Sequence, residues 1–154
     1  MVRPLHEVFF VRAVLKKLGV GKLSTFNYRL KTQKVQYLAQ VFKVSLPYTF
    51  SLYVHGPYSP DLTKDLFATE NTPISAYDFA SELMTERFER LEQFTSGKTN
   101  RELELIATYH WLLSAGFAEN TSVEKFKELK DPNEKELTFT KEAIQEMQKI
   151  ITEL

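Results

Sequence analysis

The chain has 154 residues, of which 43% are hydrophobic and 26% are charged, and its formal net charge at pH 7 is zero. This composition is typical of a globular protein, and the length suits one domain over residues 1–154 with a single core. The absence of cysteine excludes disulfides and thiolate chemistry, and the lack of a long apolar run or a signal-peptide core predicts a cytoplasmic protein without a membrane span.

Basic residues are concentrated in the first 45 positions, where nine lysines and arginines face one acidic residue, Glu7. Such a division can mark a nucleic-acid-binding face or a surface for an acidic partner. It can also mark a basic layer that packs on an acidic C-terminal part of the same chain. The spread of the basic residues over two helices and a linker favours this internal interpretation.

Apolar periodicity predicts two helices in this basic region. The first covers residues 4–19, with Pro4 in its first turn and Gly19 at its C-terminal end. Residues 19–30 are interpreted as a loop or an irregular segment. The second helix is predicted over 31–43, beginning near Thr32.

The stretch "YTFSLYVHGPYSPDL" at 48–62 predicts a strand followed by a helix. Apolar and polar residues alternate from 48 to 55, which indicates a half-buried strand ended by Gly56 and Pro57. Ser59 has the character of an N-cap, with Pro60 opening the next helix. A weaker alternation at 135–140 is the candidate for a second strand.

Capping patterns and apolar periodicity position the remaining helices. They predict a helix capped by a box at Ser75 and Asp78, one capped by a box at Thr99 and Glu102, a short helix at 122–130 and a last helix from about Thr140. The predicted fold class is therefore α+β and mainly α-helical. It is a single domain with a small antiparallel sheet of two or three strands, for which a winged-helix arrangement is one option.

The motifs of catalysis and metal binding do not occur in this sequence. The five glycines form no phosphate-binding spacing, and His6, His55 and His110 form no metal-binding pattern. His55, Ser59 and Asp61 suggest a catalytic triad, but a serine that caps a helix already accepts a backbone hydrogen bond. We therefore predict no catalytic residue, no metal site and no cofactor.

Aromatic side chains flank the predicted break in the strand. Tyr53 and Tyr58 stand on either side of Gly56 and Pro57, with His55 between them. Exposed aromatic residues beside a rigid turn are effective anchors for a protein partner. This segment is the predicted partner-binding site.

Several segments resemble known families. "LKTQKVQYLAQVF" at 30–42 resembles the helix that opens the SocA-like (Panacea) antitoxin domains and the YwgA-like proteins, and "FSLYVHGPYSPDLTKDL" at 50–66 resembles the segment that follows it. "RELELIATYHWLL" and "TFTKEAIQEMQKI" resemble later helices of the YwgA-like group. Thr32 stands where these families usually have leucine, and Tyr58 favours the YwgA-like group. The Panacea resemblance implies a non-catalytic antitoxin or proteolytic adaptor, whereas the YwgA-like group implies no function.

Two functional hypotheses follow from these observations. The first is a non-enzymatic protein-interaction module, antitoxin-like or adaptor-like, that binds a protein partner. The alternative is a winged-helix-type regulator that binds nucleic acid through its basic N-terminal third, with Lys31, Lys34 and Lys43 on the phosphates. An enzyme is disfavoured, because only unassigned carboxylates support it.

Overall fold

The computed structural model describes residues 3–154, which form seven α-helices and one β-hairpin. In chain order these are α1 (Leu5–Lys17), α2 (Phe26–Val41), β1 (Ser51–Tyr53), β2 (Gly56–Tyr58), α3 (Pro60–Thr69), α4 (Glu82–Thr95), α5 (Asn100–Ser114), α6 (Glu119–Lys130) and α7 (Glu134–Glu153). The mainly helical α+β class is confirmed. No helix within these residues has the length and apolar character needed to span a membrane.

Helix α5 is the central element of the fold. It packs against α2, α6, α7 and strand β2. Its side chains are buried on almost every side, which is typical of a helix enclosed by others. Its one tryptophan, Trp111, is half-buried, and the indole Nε1 donates a hydrogen bond of 3.4 Å to the carbonyl oxygen of Phe50. Helix α5 is therefore in contact with the chain where it approaches the hairpin.

Helix α2 begins earlier than its sequence pattern predicts. Thr25 is the N-cap, and its hydroxyl accepts a hydrogen bond of 3.1 Å from the amide of Tyr28. The predicted start near Thr32 is wrong, because Thr32 lies buried inside the helix and accepts a hydrogen bond from the amide of Gly21. The first turn was missed because its aromatic residues face solvent and give no apolar periodicity.

The sheet is a two-stranded antiparallel hairpin in which Tyr53 pairs with Gly56 and Leu52 pairs with Pro57. The prediction that Gly56 and Pro57 end a strand is wrong, since both belong to β2. A proline is tolerated here because each strand of a two-stranded sheet is an edge. The predicted strand at 135–140 is also wrong. It lies in α7, which Asn133 and Glu136 open with a capping box.

Local capping signals identify three of the other helix ends correctly. Ser59 caps α3 through a hydrogen bond to the amide of Leu62, and Thr99 and Glu102 form the predicted capping box of α5. Asp131 ends α6 in a left-handed conformation, as its position before a proline indicates. The predicted box at Ser75 and Asp78 is wrong, because α4 is capped by Ser81.

Candidate functional site

The hairpin and the start of α2 enclose a groove of about 260 Å³, which we call the hairpin groove. It is lined by Phe26, Leu30, Lys34, Tyr53, Val54, His55, Gly56 and Tyr58. Four of the five residues predicted as a partner-binding site line this groove. The fifth, Pro57, is buried beside it.

Aromatic rings form the walls of the hairpin groove. The rings of Tyr53 and Tyr58 meet edge to face with centroids 5.4 Å apart, and those of Phe26 and His55 do the same at 5.4 Å. The Tyr58 hydroxyl shares a hydrogen bond of 2.8 Å with Thr63 at the start of α3. These contacts fix the positions of the rings, and a surface with ordered side chains loses less conformational entropy when it binds a ligand.

Three apolar side chains of the groove are exposed. Val54 at the hairpin tip is 84% exposed, Phe26 is 53% exposed and Tyr53 is 52% exposed. Isolated apolar residues on a surface need no explanation, but three that share one groove form a patch. Such a patch is a recognised mark of a binding site.

Lys34 supplies the charge at the floor of the groove. Its side chain is only 3% exposed, and its Nζ lies 3.9 Å from Oε1 of Glu104, which is too long for a hydrogen bond. Burial lowers the pKa of Lys34 to about 8, and the nearby Glu104 carboxylate limits the fall. Lys34 is therefore mostly protonated at pH 7.

The Glu104 carboxylate is the centre of a charged cluster under the hairpin. Lys130 at the end of α6 approaches it to 3.2 Å, Arg101 approaches it to 3.8 Å, and Nδ1 of His55 lies 3.8 Å away. Together with Lys34, this places three basic side chains around one carboxylate. Arg101 also pairs with Glu136 at 3.1 Å, which lowers the positive excess of the cluster to one charge, since Lys34, Arg101 and Lys130 then face two carboxylates.

Gly56 brings the hairpin close to this cluster. Its φ of +96° is in the left-handed region, and a Cβ there would lie 3.0 Å from Oγ1 of Thr108 and 3.3 Å from Cγ of Glu104. Glycine is the residue that fits both the backbone conformation and the space. The hairpin backbone thus rests directly on α5.

The serine and histidine of the segment do not form a catalytic pair. Ser59 is buried and engaged as a cap, and its amide donates a hydrogen bond of 2.9 Å to Gln33. It therefore lacks the contact with His55 that a triad needs. Within the described part of the chain, no group of three or more acidic or histidine residues could hold a metal ion.

The three lysines of the nucleic-acid hypothesis lie in different environments. Lys43 is exposed beyond the end of α2, Lys31 is half-buried and Lys34 is buried. Lys34 lines the hairpin groove and lies beside Glu104, so the phosphate contact predicted for it would have to form inside that groove. Lys31 and Lys43 are twelve positions apart, about 18 Å along a helix.

Four residues of the site were not predicted from the sequence. The sequence pattern predicts a loop for Phe26 and Leu30, and it indicates no role for Glu104. Lys130 lies 76 residues from the hairpin tip that it contacts. The exposed aromatic residue directly after Thr25 was the one signal that could have identified the groove wall on α2.

Comparison of the chain with protein-family models, with curated proteins and with solved structures gives no match. The resemblance to the YwgA-like and SocA-like families therefore stays a prediction that rests on the segments quoted above.

Proposed function

We propose that this chain is a non-enzymatic protein-interaction module that docks a partner protein in the hairpin groove. The observation that carries the proposal is the concentration of exposed apolar surface at Phe26, Tyr53 and Val54, directly above a buried cation. Tyrosine and tryptophan side chains in such positions commonly dominate the binding energy of protein interfaces. The suggested resemblance to antitoxin and adaptor domains agrees with this role.

The groove also indicates which feature of the partner it would bind. Its volume of about 260 Å³ is below the range of drug-sized sites, roughly 300–1,000 Å³, and suits one or two side chains. Its walls are apolar and its floor carries Lys34. The matching partner segment presents an apolar or aromatic side chain next to a carboxylate, to which the Lys34 ammonium would donate a charge-assisted hydrogen bond.

Nucleic acid fits the same surface less well. Phosphate recognition depends on several exposed cations spaced along a face. Lys34 is enclosed, Lys31 is half-buried within α2, and Lys43 lies beyond the end of that helix. Apolar walls contribute little to phosphate binding. Nucleic-acid binding is therefore the alternative, and titration with DNA tests it.

The test compares affinity capture from the native host by wild type, by Tyr53→Ala and by Tyr28→Ala. Tyr28 is a matched control, because it is 49% exposed on α2 and lies outside the groove lining. We expect one protein to be retained by wild type and Tyr28→Ala and lost with Tyr53→Ala. Titration with that purified protein is expected to show binding weakened roughly thirtyfold by Tyr53→Ala, equivalent to about 2 kcal/mol.

Retention that is equal for all three proteins, or no specific retention, would refute docking in the groove. Titration with duplex DNA at two salt concentrations tests the alternative. Salt-sensitive binding that Lys31→Ala and Lys43→Ala abolish would establish the nucleic-acid regulator in place of the protein-interaction module.

A further inference from the structure

A second cavity, which we call the α1 pocket, lies between α1, the loop that follows it and the connection from α3 to α4. Its volume is about 660 Å³, and its polar lining comprises Arg12, Lys16, Lys22, Glu70, Asn71 and Thr72. This volume is within the range of small-molecule sites, roughly 300–1,000 Å³. The α1 pocket and the hairpin groove share no lining residue.

Arg12 is the unusual residue of the α1 pocket. Its Nη1 is shielded from solvent and has no hydrogen-bond partner among residues 3–154. None of the ion pairs within those residues includes Arg12, although Glu70 lines the same pocket. Burial lowers the pKa of the guanidinium. Shielded polar atoms normally have a hydrogen-bond partner, so the unpartnered Nη1 of this half-buried guanidinium is available to an anion in the pocket.

The charges around Arg12 specify the missing group. Lys16 lies one helical turn after Arg12 on α1, and Lys22 projects from the following loop, so three cations line the pocket against Glu70 alone. The lining therefore carries a net charge of +2, which matches a dianion. The planar guanidinium of arginine binds two oxygen atoms of a phosphate group through paired N–H donors.

We propose that the α1 pocket binds a small phosphorylated metabolite, whose phosphate lies between Arg12 and Lys16. Lys22 adds a third cation from the loop. Asn71 and Thr72 supply neutral hydrogen-bonding groups for the rest of the molecule. Such a ligand would join α1 to the connection between α3 and α4.

Inorganic phosphate is the probe for the test, and thermal unfolding of the full chain is the first readout. We expect phosphate to raise the melting temperature of wild type along a saturating curve, beyond the effect of sodium chloride at matched ionic strength. Isothermal titration should show binding weakened tenfold or more by Arg12→Gln and also reduced by Lys16→Gln. Lys64→Gln, on the exposed face of α3, should bind phosphate as wild type does.

Three outcomes would overturn this proposal. In the first, phosphate raises the melting temperature no more than chloride does. In the second, Arg12→Gln binds phosphate with wild-type affinity. In the third, acetate saturates the site as well as phosphate does, which would assign the site to a carboxylate ligand. Circular dichroism checks that Arg12→Gln is folded, and if it is not, Lys16→Gln and Lys22→Gln carry the same expectation. Tyr53→Ala should keep the phosphate response, so failure here is distinct from failure of the hairpin groove.

Discussion

The Nζ of Lys130 lies 2.7 Å from the carbonyl oxygen of Val54, which joins the end of α6 to the tip of the hairpin. The same ammonium is 3.2 Å from the carboxylate of Glu104 on α5. Because the Lys130 side chain is 4% exposed, these two acceptors replace the water that the charge gave up on folding. One buried cation thus links three elements of the fold.

Replacement of Lys130 is expected to loosen the hairpin. Lys130→Met removes the donor to Val54 and breaks a buried pair, so we expect a loss of about 2–4 kcal/mol in the free energy of unfolding. Urea denaturation measures this change. Lys127→Met, an exposed position on the same helix, is the control and should stay within about 0.5 kcal/mol of wild type. Equal free energies of unfolding for the two variants would show that the contact between Lys130 and Val54 does not stabilise the fold.

Gly56→Ala tests the close approach of the hairpin to α5. The added methyl group would meet Thr108 and Glu104 in a backbone conformation that alanine disfavours, so we expect a loss of at least about 2 kcal/mol. Gly19→Ala is the matched control. Gly19 has a φ of +77° but nothing within 4 Å of an added Cβ, so only the conformational cost of about 1 kcal/mol should appear. Equal losses would show that the space under Gly56 is not tight.

His110 is expected to make the protein sensitive to acid. Burial lowers the pKa of His110 to about 4, and its Nδ1 is 2.7 Å from the hydroxyl of Tyr37. An unfolded chain protonates this histidine below about pH 6.5. Between pH 6.5 and 4 the unfolded state therefore binds more protons than the folded state. The free energy of unfolding decreases as the pH is lowered, by about 1.4 kcal/mol per pH unit.

Urea titrations at several pH values measure this dependence. The His110→Gln variant should lose less stability than wild type between pH 6.5 and 4. Tyr37→Phe removes the hydrogen bond and leaves the titrating group, so it should be less stable but keep the steep pH dependence. Parallel curves for wild type and His110→Gln would exclude the histidine as the source.

Lys43→Gly is expected to stabilise the protein. Lys43 follows the last turn of α2 with a φ of +60°, where glycine is the usual residue. The gain should be about 0.5–1 kcal/mol, since the relief of backbone strain exceeds the entropy that glycine loses on folding. Thermal unfolding measures it. Lys43→Ala keeps the Cβ and should give no gain in stability. A similar gain from both variants would show that the loss of the side-chain charge, rather than relief of backbone strain, is the cause.

The sequence predicts those parts of the fold that local interactions determine. The caps at Ser59 and Thr99 are confirmed, because each depends on residues three positions apart. The start of α7 was missed although Asn133 and Glu136 form an equally local box. There the alternation of "KELTFT" imitated a strand, and its apolar residues pack on the core within a helix instead.

The candidate site is less predictable for a physical reason. Tyr53 and Tyr58 were identified because they flank a turn, and both line the groove. The cations and the carboxylate under the hairpin come from helices far apart in the chain, and no pattern in the sequence indicates that Lys34 or Lys130 is buried. A lysine on a helix is ordinarily exposed, so tertiary structure is needed to recognise these two.

The fluorescence of Trp111 reports on the hairpin, because its indole donates a hydrogen bond to the carbonyl oxygen of Phe50. Trp111 is the one tryptophan of the chain, so all of the indole fluorescence comes from a single place. That place adjoins the residue that leads into β1. The solvation of this indole would change if the hairpin detached or if a partner bound against it. The tryptophan emission would therefore detect either change without an attached label.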